Sequence, residues 1–449
     1  MKKVSVTLWL LLCVLLPFHA AADVATVSSE AEYNSLVGRI VNLIALRQEL
    51  AGSAAGAERI GDSGRVLHEV ARITNELDVL GVDWTSFLRA RGKSGCFPFA
   101  KNTFFRPTVQ LFNLPRHLRN LAGRPARARD LSPGGEVLDS AFFINRDVSA
   151  YSPAEILLID ERNRPRGSIT ILDEKREGRV EGFLGTDEEG GLYHFVFDPP
   201  GMEEQATGAK VIGSTIARLM GYNVPVSTII TVRGTGDPRF DDRRAAATKM
   251  VPGPVGSWSY YGFRNRREIR ATRILAAWIN NNGFVDGTTV ISSFRAGNVD
   301  LYRYYLGGFN RSLGSAGMRS KMAKDGWEHE FDAGVIVTTP LRWILKPFGL
   351  WRERYRRSAK PVNSVVGLLD TNVSTTQYEA RYPNMAWRYM TAEDALWAVN
   401  LISRFTPEQI GAIVDLAKYS DGEDAEYVLS VLLERQTKII EHYLGIRVR

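Results

Sequence analysis

Cysteine is nearly absent: Cys13 and Cys96 are the only two among 449 residues, too few for the disulfide framework on which small secreted domains rely. Histidine is also sparse. The five beyond residue 22 stand at positions 68, 117, 194, 329 and 442, with no two at metal-ligand spacing. The string WEHEFD gathers Glu328, His329, Glu330 and Asp332 but is a weak candidate for a metal site, and no metal and no cofactor is expected. Internal repeats and low-complexity tracts are missing. Beyond the first residues no apolar run reaches the roughly 20 residues of a membrane span. What remains is 44% hydrophobic and 24% charged, the balance of a folded globular chain.

The one long apolar run, LWLLLCVLLPF, follows Lys2 and Lys3 and precedes HAAAD, the order of a secretory signal with cleavage after Ala22. Leu12 before Cys13 argues against a lipoprotein cysteine. An exported chain would lose Lys2 and Lys3, lowering the net charge from +7 to +5. That surplus weakly favours an anionic partner and names none. Cys96 would be left as a single, buried thiol.

Residues 23–95 read as a helical hairpin. Ser29 with Glu32 fits a capping box, and Leu36, Ile40, Leu43 and Ile44 line one face. The small-residue stretch 51–64 breaks the pattern before Val66, Val70, Ile73, Leu77 and Leu80 resume it. Residues 96–150, rich in Pro, Arg and Phe, read as an irregular segment that wraps another part of the chain. Its RPARARD string lacks the aromatic interleaving or module of a nucleic-acid site, so no nucleic acid is expected.

Three β-rich strings follow: GSITILDEK, the hairpin GRVEGFLGTDEEGGLYHFVFDPP, and PVSTIITVRG. A helix lies between the last two, by the spacing of Ala209, Ile212, Ile216 and Leu219, and stops at Gly221. From Arg266 on the chain reads as mostly helical, with Ile269, Arg273, Ile274 and Trp278 on one helix. Three caps punctuate its end: Thr391 with Asp394, Thr406 with Gln409, and Ser420 with Glu423. The last helix ends at Gly445.

Several strings together resemble a family of exported bacterial proteins of unknown function. Their motif order is similar to the HipA and lipid-kinase-like branch of the protein-kinase-like fold. They are DSAFFINR (139–146), FDPPG (197–201), KVIGSTIARLMGYNVP (210–225), EIRATRILAAWINNN (268–282), YLGGFNRSLGS (305–315) and MTAEDALWAV (390–399). The resemblance implies an α+β, two-lobed protein-kinase-like fold preceded by the helical hairpin. A wrapping segment and β-rich small lobe would span 96–250, and a helical large lobe 251–449.

Phosphoryl transfer needs a strand lysine and helix glutamate for the phosphates, a carboxylate for the nucleophile, and an Asn and an Asp for the metal. At the positions the resemblance assigns to these groups stand Val196, Lys210, Asn282, Thr288 and Gly308. The apolar and glycine frame around them is retained. The implied protein is a degenerate, non-catalytic kinase-like chain that binds an unknown protein or envelope ligand.

Two other readings stay open. An active phosphotransferase or nucleotidyltransferase could use relocated groups, with Lys175, Lys210 and Asp286 as candidates. A peripheral protein could use residues 340–361, where Trp343, Lys346, Trp351, Arg352 and Arg356 combine apolar surface with positive charge suited to an anionic membrane.

Overall fold

The computed structural model describes residues 30–56, 60–80, 82–88, 106–174, 180–322, 326–327, 360–373, 378–380 and 382–445. The expected signal, Ser29, Cys96, Lys175 and residues 340–359 lie outside them.

Helices α1 (Glu30–Gly56) and α2 (Ile60–Val79) open the described chain. Arg39 reaches Glu76 at 2.8 Å and Arg47 reaches Thr74 at 2.7 Å, so the two lie side by side. Both helices run into the stretch expected to be a break. Its small residues include Ala51, Ala54 and Ala55, good helix formers that propagate a turn once the flanking faces are packed. Residues 106–121 are helical where an irregular wrap was expected: α3 (Arg106–Leu111) and α4 (Leu114–Leu121). Pro115 does not prevent this, because it sits in the first turn, where its missing N–H costs nothing. A further helix, α5 (Pro153–Asn163), opens with a capping box between Ser152 and Glu155.

The main sheet is antiparallel throughout, in the order β1 (Thr170–Glu174), β2 (Gly182–Thr186), β3 (Leu192–Phe197), β5 (Arg244–Lys249), β4 (Ser227–Thr231). Alternation along β3 sends Phe195 and Phe197 to one face, where they pack with Phe183 and Phe240. Val196 falls on the opposite face, paired with Gly182 and Ala246. Helix α6 (Gln205–Leu219) covers that side, and Ala246 joins its Ile212 and Ile216 in the main core. Asp198 starts this helix: its carboxylate accepts bonds from the backbone N–H groups of Glu204, Ala206 and Thr207 at 2.7–3.0 Å and from the Thr207 hydroxyl. It thereby satisfies donors that a helix start leaves open.

Helix α7 (Arg267–Trp278) is buried along nearly its whole length. Arg267 and Arg270 both donate to Asp394 at 3.1 Å. Asp394 also closes the capping box of α8 (Ala392–Ile402) with Thr391. One carboxylate thus pairs with two buried guanidiniums and caps the start of a helix. The chain on either side of α7 is not simply helical. Strand β6 (Pro254–Gly256) pairs with β7 (Val290–Ala296), which forms a hairpin with β8 (Val299–Tyr305). Tyr304 is its inward anchor, stacked on Phe142 at 4.1 Å.

Helix α9 (Pro407–Asp415) is capped by Thr406 and Gln409 as the sequence predicts. The cap of α10 (Gly422–Leu444) is Asp421, which accepts from the Glu423 N–H, rather than Ser420. The Ser420 N–H is drawn instead to Glu204 at 2.9 Å. That bond belongs to a clamp between the sheet and the C-terminal helices. Arg244 on β5 donates to the carbonyls of Ala417 and Lys418, and Lys418 donates to the Ile229 carbonyl on β4 and to Asp160 on α5, each at 3.0 Å. Among the described residues no helix is long and apolar enough to cross a membrane.

Candidate functional site

The loop after α7 and the loop after β8 are built against each other. Ile279 accepts the Leu313 N–H at 2.9 Å, and the Asn282 N–H donates to the Arg311 carbonyl at 3.0 Å. The Asn281 side chain, fully buried, bridges from within: its amide donates to the Gly308 carbonyl at 3.2 Å and to the Ser312 hydroxyl at 2.8 Å. Its oxygen accepts the Gly283 N–H at 2.7 Å. The Thr288 hydroxyl donates to the carbonyls of Gly283 and Val285. Phe284 and Phe309 meet edge to face at 5.3 Å beneath these bonds. Asn282, Thr288 and Gly308, 26 residues apart in sequence at the extremes, are therefore one cluster.

Gly308 and Gly283 make this approach possible. Gly308 adopts φ +83°, and a Cβ there would collide with the Gly283 carbonyl and stand 3.0 Å from the Thr288 hydroxyl oxygen. Any side chain would be both strained and blocked.

Helix α6 reaches the same place, and the segment just before β2 comes near it. A Cβ at Gly213 on α6 would lie 3.0 Å from the Ser312 hydroxyl oxygen and 3.2 Å from Phe309, so the helix rests closely on this loop and a side chain there would press on it. Lys210, half-buried, stands one turn before Gly213 on the same helical face. Near β2, Val180 approaches the loop: a Cβ at Gly317 would be 3.9 Å from Val180 and 3.2 Å from the Asn310 side chain. Val196 pairs with Gly182, two residues beyond Val180.

Asp286 shares the first loop but turns to another side. It is buried, accepts from the Tyr260 N–H at 3.0 Å and the Ser259 hydroxyl at 2.8 Å, and pairs with Arg106 at 3.2 Å.

A neighbouring group escaped the sequence reading. Lys321 is 2% exposed, with its ammonium on the side-chain and main-chain oxygens of Asn280 and 3.2 Å from the Tyr378 hydroxyl. Asn280 accommodates φ +51°, a region its short amide tolerates. The run Asn280-Asn281-Asn282 was the available signal, since three consecutive amides before a glycine do not suit a helix.

The cluster offers amides, a hydroxyl and a glycine where metal and nucleophile chemistry would require carboxylates. Among the described residues no group of three or more His, Cys, Asp or Glu side chains could hold a metal ion.

No protein-family model matches the chain, and no curated protein does. Among solved structures, a Helicobacter pylori proinflammatory kinase, CtkA, is similar at 13% identity and a TM-score of 0.37, over 62% of this chain and 98% of that one.

Proposed function

We propose that the chain is an exported protein of two-lobed, kinase-like architecture that binds a protein or envelope component and does not transfer phosphate. In this reading the five-stranded sheet with α6 is the small lobe, α7 to α10 the large lobe, and α1 with α2 a preceding hairpin. The observation that carries it is the bonded cluster of Asn282, Thr288 and Gly308. The positions that would hold the base and both metal ligands converge, yet carry no charge. Asp286 is engaged by three donors, which supports binding over a relocated catalyst.

The test is a thermal melt of the purified chain with ATP and Mg²⁺ or Mn²⁺. No rise in melting temperature is expected. A functional site filled at 100 times its dissociation constant would add about 2.7 kcal/mol, and a shift of that size would overturn the proposal. Export is tested by fractionating cells that express the whole chain, where a cytoplasmic, full-length product would contradict it.

A further inference from the structure

Helix α4 faces the wrong way for a soluble surface helix. Leu114, Leu118 and Leu121 recur at i, i+4 and i+7 and so form a single stripe. Yet they are 68%, 65% and 85% exposed. Arg116 lies about 200° round the helix from Leu114 at 100° per residue, and it is this polar side that meets the body. Its guanidinium donates to the Arg388 carbonyl and stacks on Tyr389 at 4.3 Å. His117 contacts the Gln110 carbonyl at 3.1 Å. Phe112, 74% exposed, and Val109, 64% exposed, extend the apolar surface back along the chain. Five large apolar side chains this close together exceed the scattered single exposures normal for a monomer.

Charge says what could cover them. Residues 106–129 hold six arginines and no Asp or Glu. Two of the six face inward: Arg106 pairs with Asp286, and Arg116 anchors α4. Arg119, Arg124, Arg127 and Arg129 are exposed, and of these Arg127 reaches Glu393 at 2.9 Å.

We propose that residues 109–129 form an interfacial docking surface for anionic lipid: the leucine stripe and Phe112 enter the headgroup boundary, and the exposed arginines hold lipid phosphates. Leucine side chains flanked by arginines, on a helix pinned by its polar side, are the arrangement an interfacial segment requires. The inference is independent of the cleft reading and of residues 340–361.

The experiment is sedimentation of the purified chain with phosphatidylcholine vesicles, with and without phosphatidylglycerol. Wild type should sediment with the anionic vesicles and lose that binding as salt rises. Leu114→Ser, Leu118→Ser and Leu121→Ser together should lower partitioning at least about tenfold, with an unchanged melting temperature because all three are exposed. As a second readout, Leu118→Trp should show blue-shifted difference emission with anionic vesicles alone. Equal sedimentation of the triple variant and wild type would overturn the proposal by assigning binding to another segment. So would an absent blue shift, or a wild-type mass that doubles in solution and halves in the triple variant, which would assign the stripe to a second copy of the chain.

Discussion

Replacing Gly308 tests whether the two loops are locked or free. Alanine at φ +83° carries the left-handed penalty of roughly 1–2 kcal/mol. Its Cβ cannot stay where it is built, because the Gly283 carbonyl occupies the space and the Gly283 carbon lies 2.8 Å away. Relief requires the loops to part. Parting stretches the Asn281 amide bond to the Gly308 carbonyl and the Thr288 hydroxyl bond to the Gly283 carbonyl, each worth about 1 kcal/mol. The sum is about 3–4 kcal/mol, a large share of the 5–15 kcal/mol that holds a typical domain. Urea denaturation should show a lower midpoint at unchanged slope. Gly283→Ala, which carries no left-handed penalty, should cost less, about 2 kcal/mol, and the double variant less than the two together, since both collide across one contact. Gly308→Asp should be destabilised at least as much and bind no Mn²⁺. If Gly308→Asp were as stable as wild type and bound Mn²⁺, the loop could present a carboxylate without hindrance, and the locked-cluster argument would be wrong.

Burial pushes the Asp139 carboxyl up to about 7 from an ordinary 3.8, against the opposing bonds from Asn145 and the charge of Arg146. The folded state therefore holds this proton more tightly than the unfolded one. The resulting penalty is absent below about pH 4, grows between pH 4 and 7, and reaches about 4 kcal/mol above that. Asp139→Asn should stabilise the protein at pH 8 and progressively less toward pH 5; a pH-independent gap in urea midpoints would contradict this. Asp198→Ala should cost about 2–4 kcal/mol by freeing several donors at the start of α6, whereas Asp198→Asn should cost less; equal losses, by denaturation, would refute the capping role. Arg244→Met should destabilise by about 2–3 kcal/mol, since two carbonyls lose their donor and Glu204 its ion-pair partner; a change under half a kcal/mol would make the clamp incidental.

The strands richest in aromatic and branched residues were legible: β1, β2, β3 and β4 lie where alternation places them. The strand between β3 and β4 in the sheet was not. Ala245, Ala246 and Ala247 carry no strand signal of their own; Ala246 packs toward α6, while Ala245 and Ala247 pack with the phenylalanines on the other face. Of the hairpin β7–β8 only its end read as strand, at Tyr304, Tyr305 and the following Leu306; polar Ser292, Ser293, Arg295 and Arg303 dilute the pattern around Ile291 and Leu301, which are buried in the main core. Caps at Thr391 and Thr406 were local and therefore readable. Ser420 was misassigned because its N–H is claimed by Glu204, 216 residues away. In the candidate site, the frame of Phe309, Leu313 and Gly314 was apparent from the sequence. The union of Lys321 with Asn280 and Tyr378 was not, because it joins residues 41 and 57 positions apart.

The clamp at Arg244, Lys418 and Ser420 has a consequence for cooperativity. It ties the inner strand β5 and the edge strand β4 to the turn between α9 and α10, across more than 170 residues of chain. Amide protons in β4 and β5 then cannot open to solvent unless the 417–420 turn lets go. The sheet and the C-terminal helices become one exchange unit, protected to the same free energy, where a freely hinged pair would show two. A ligand that engages either part would slow proton exchange in both.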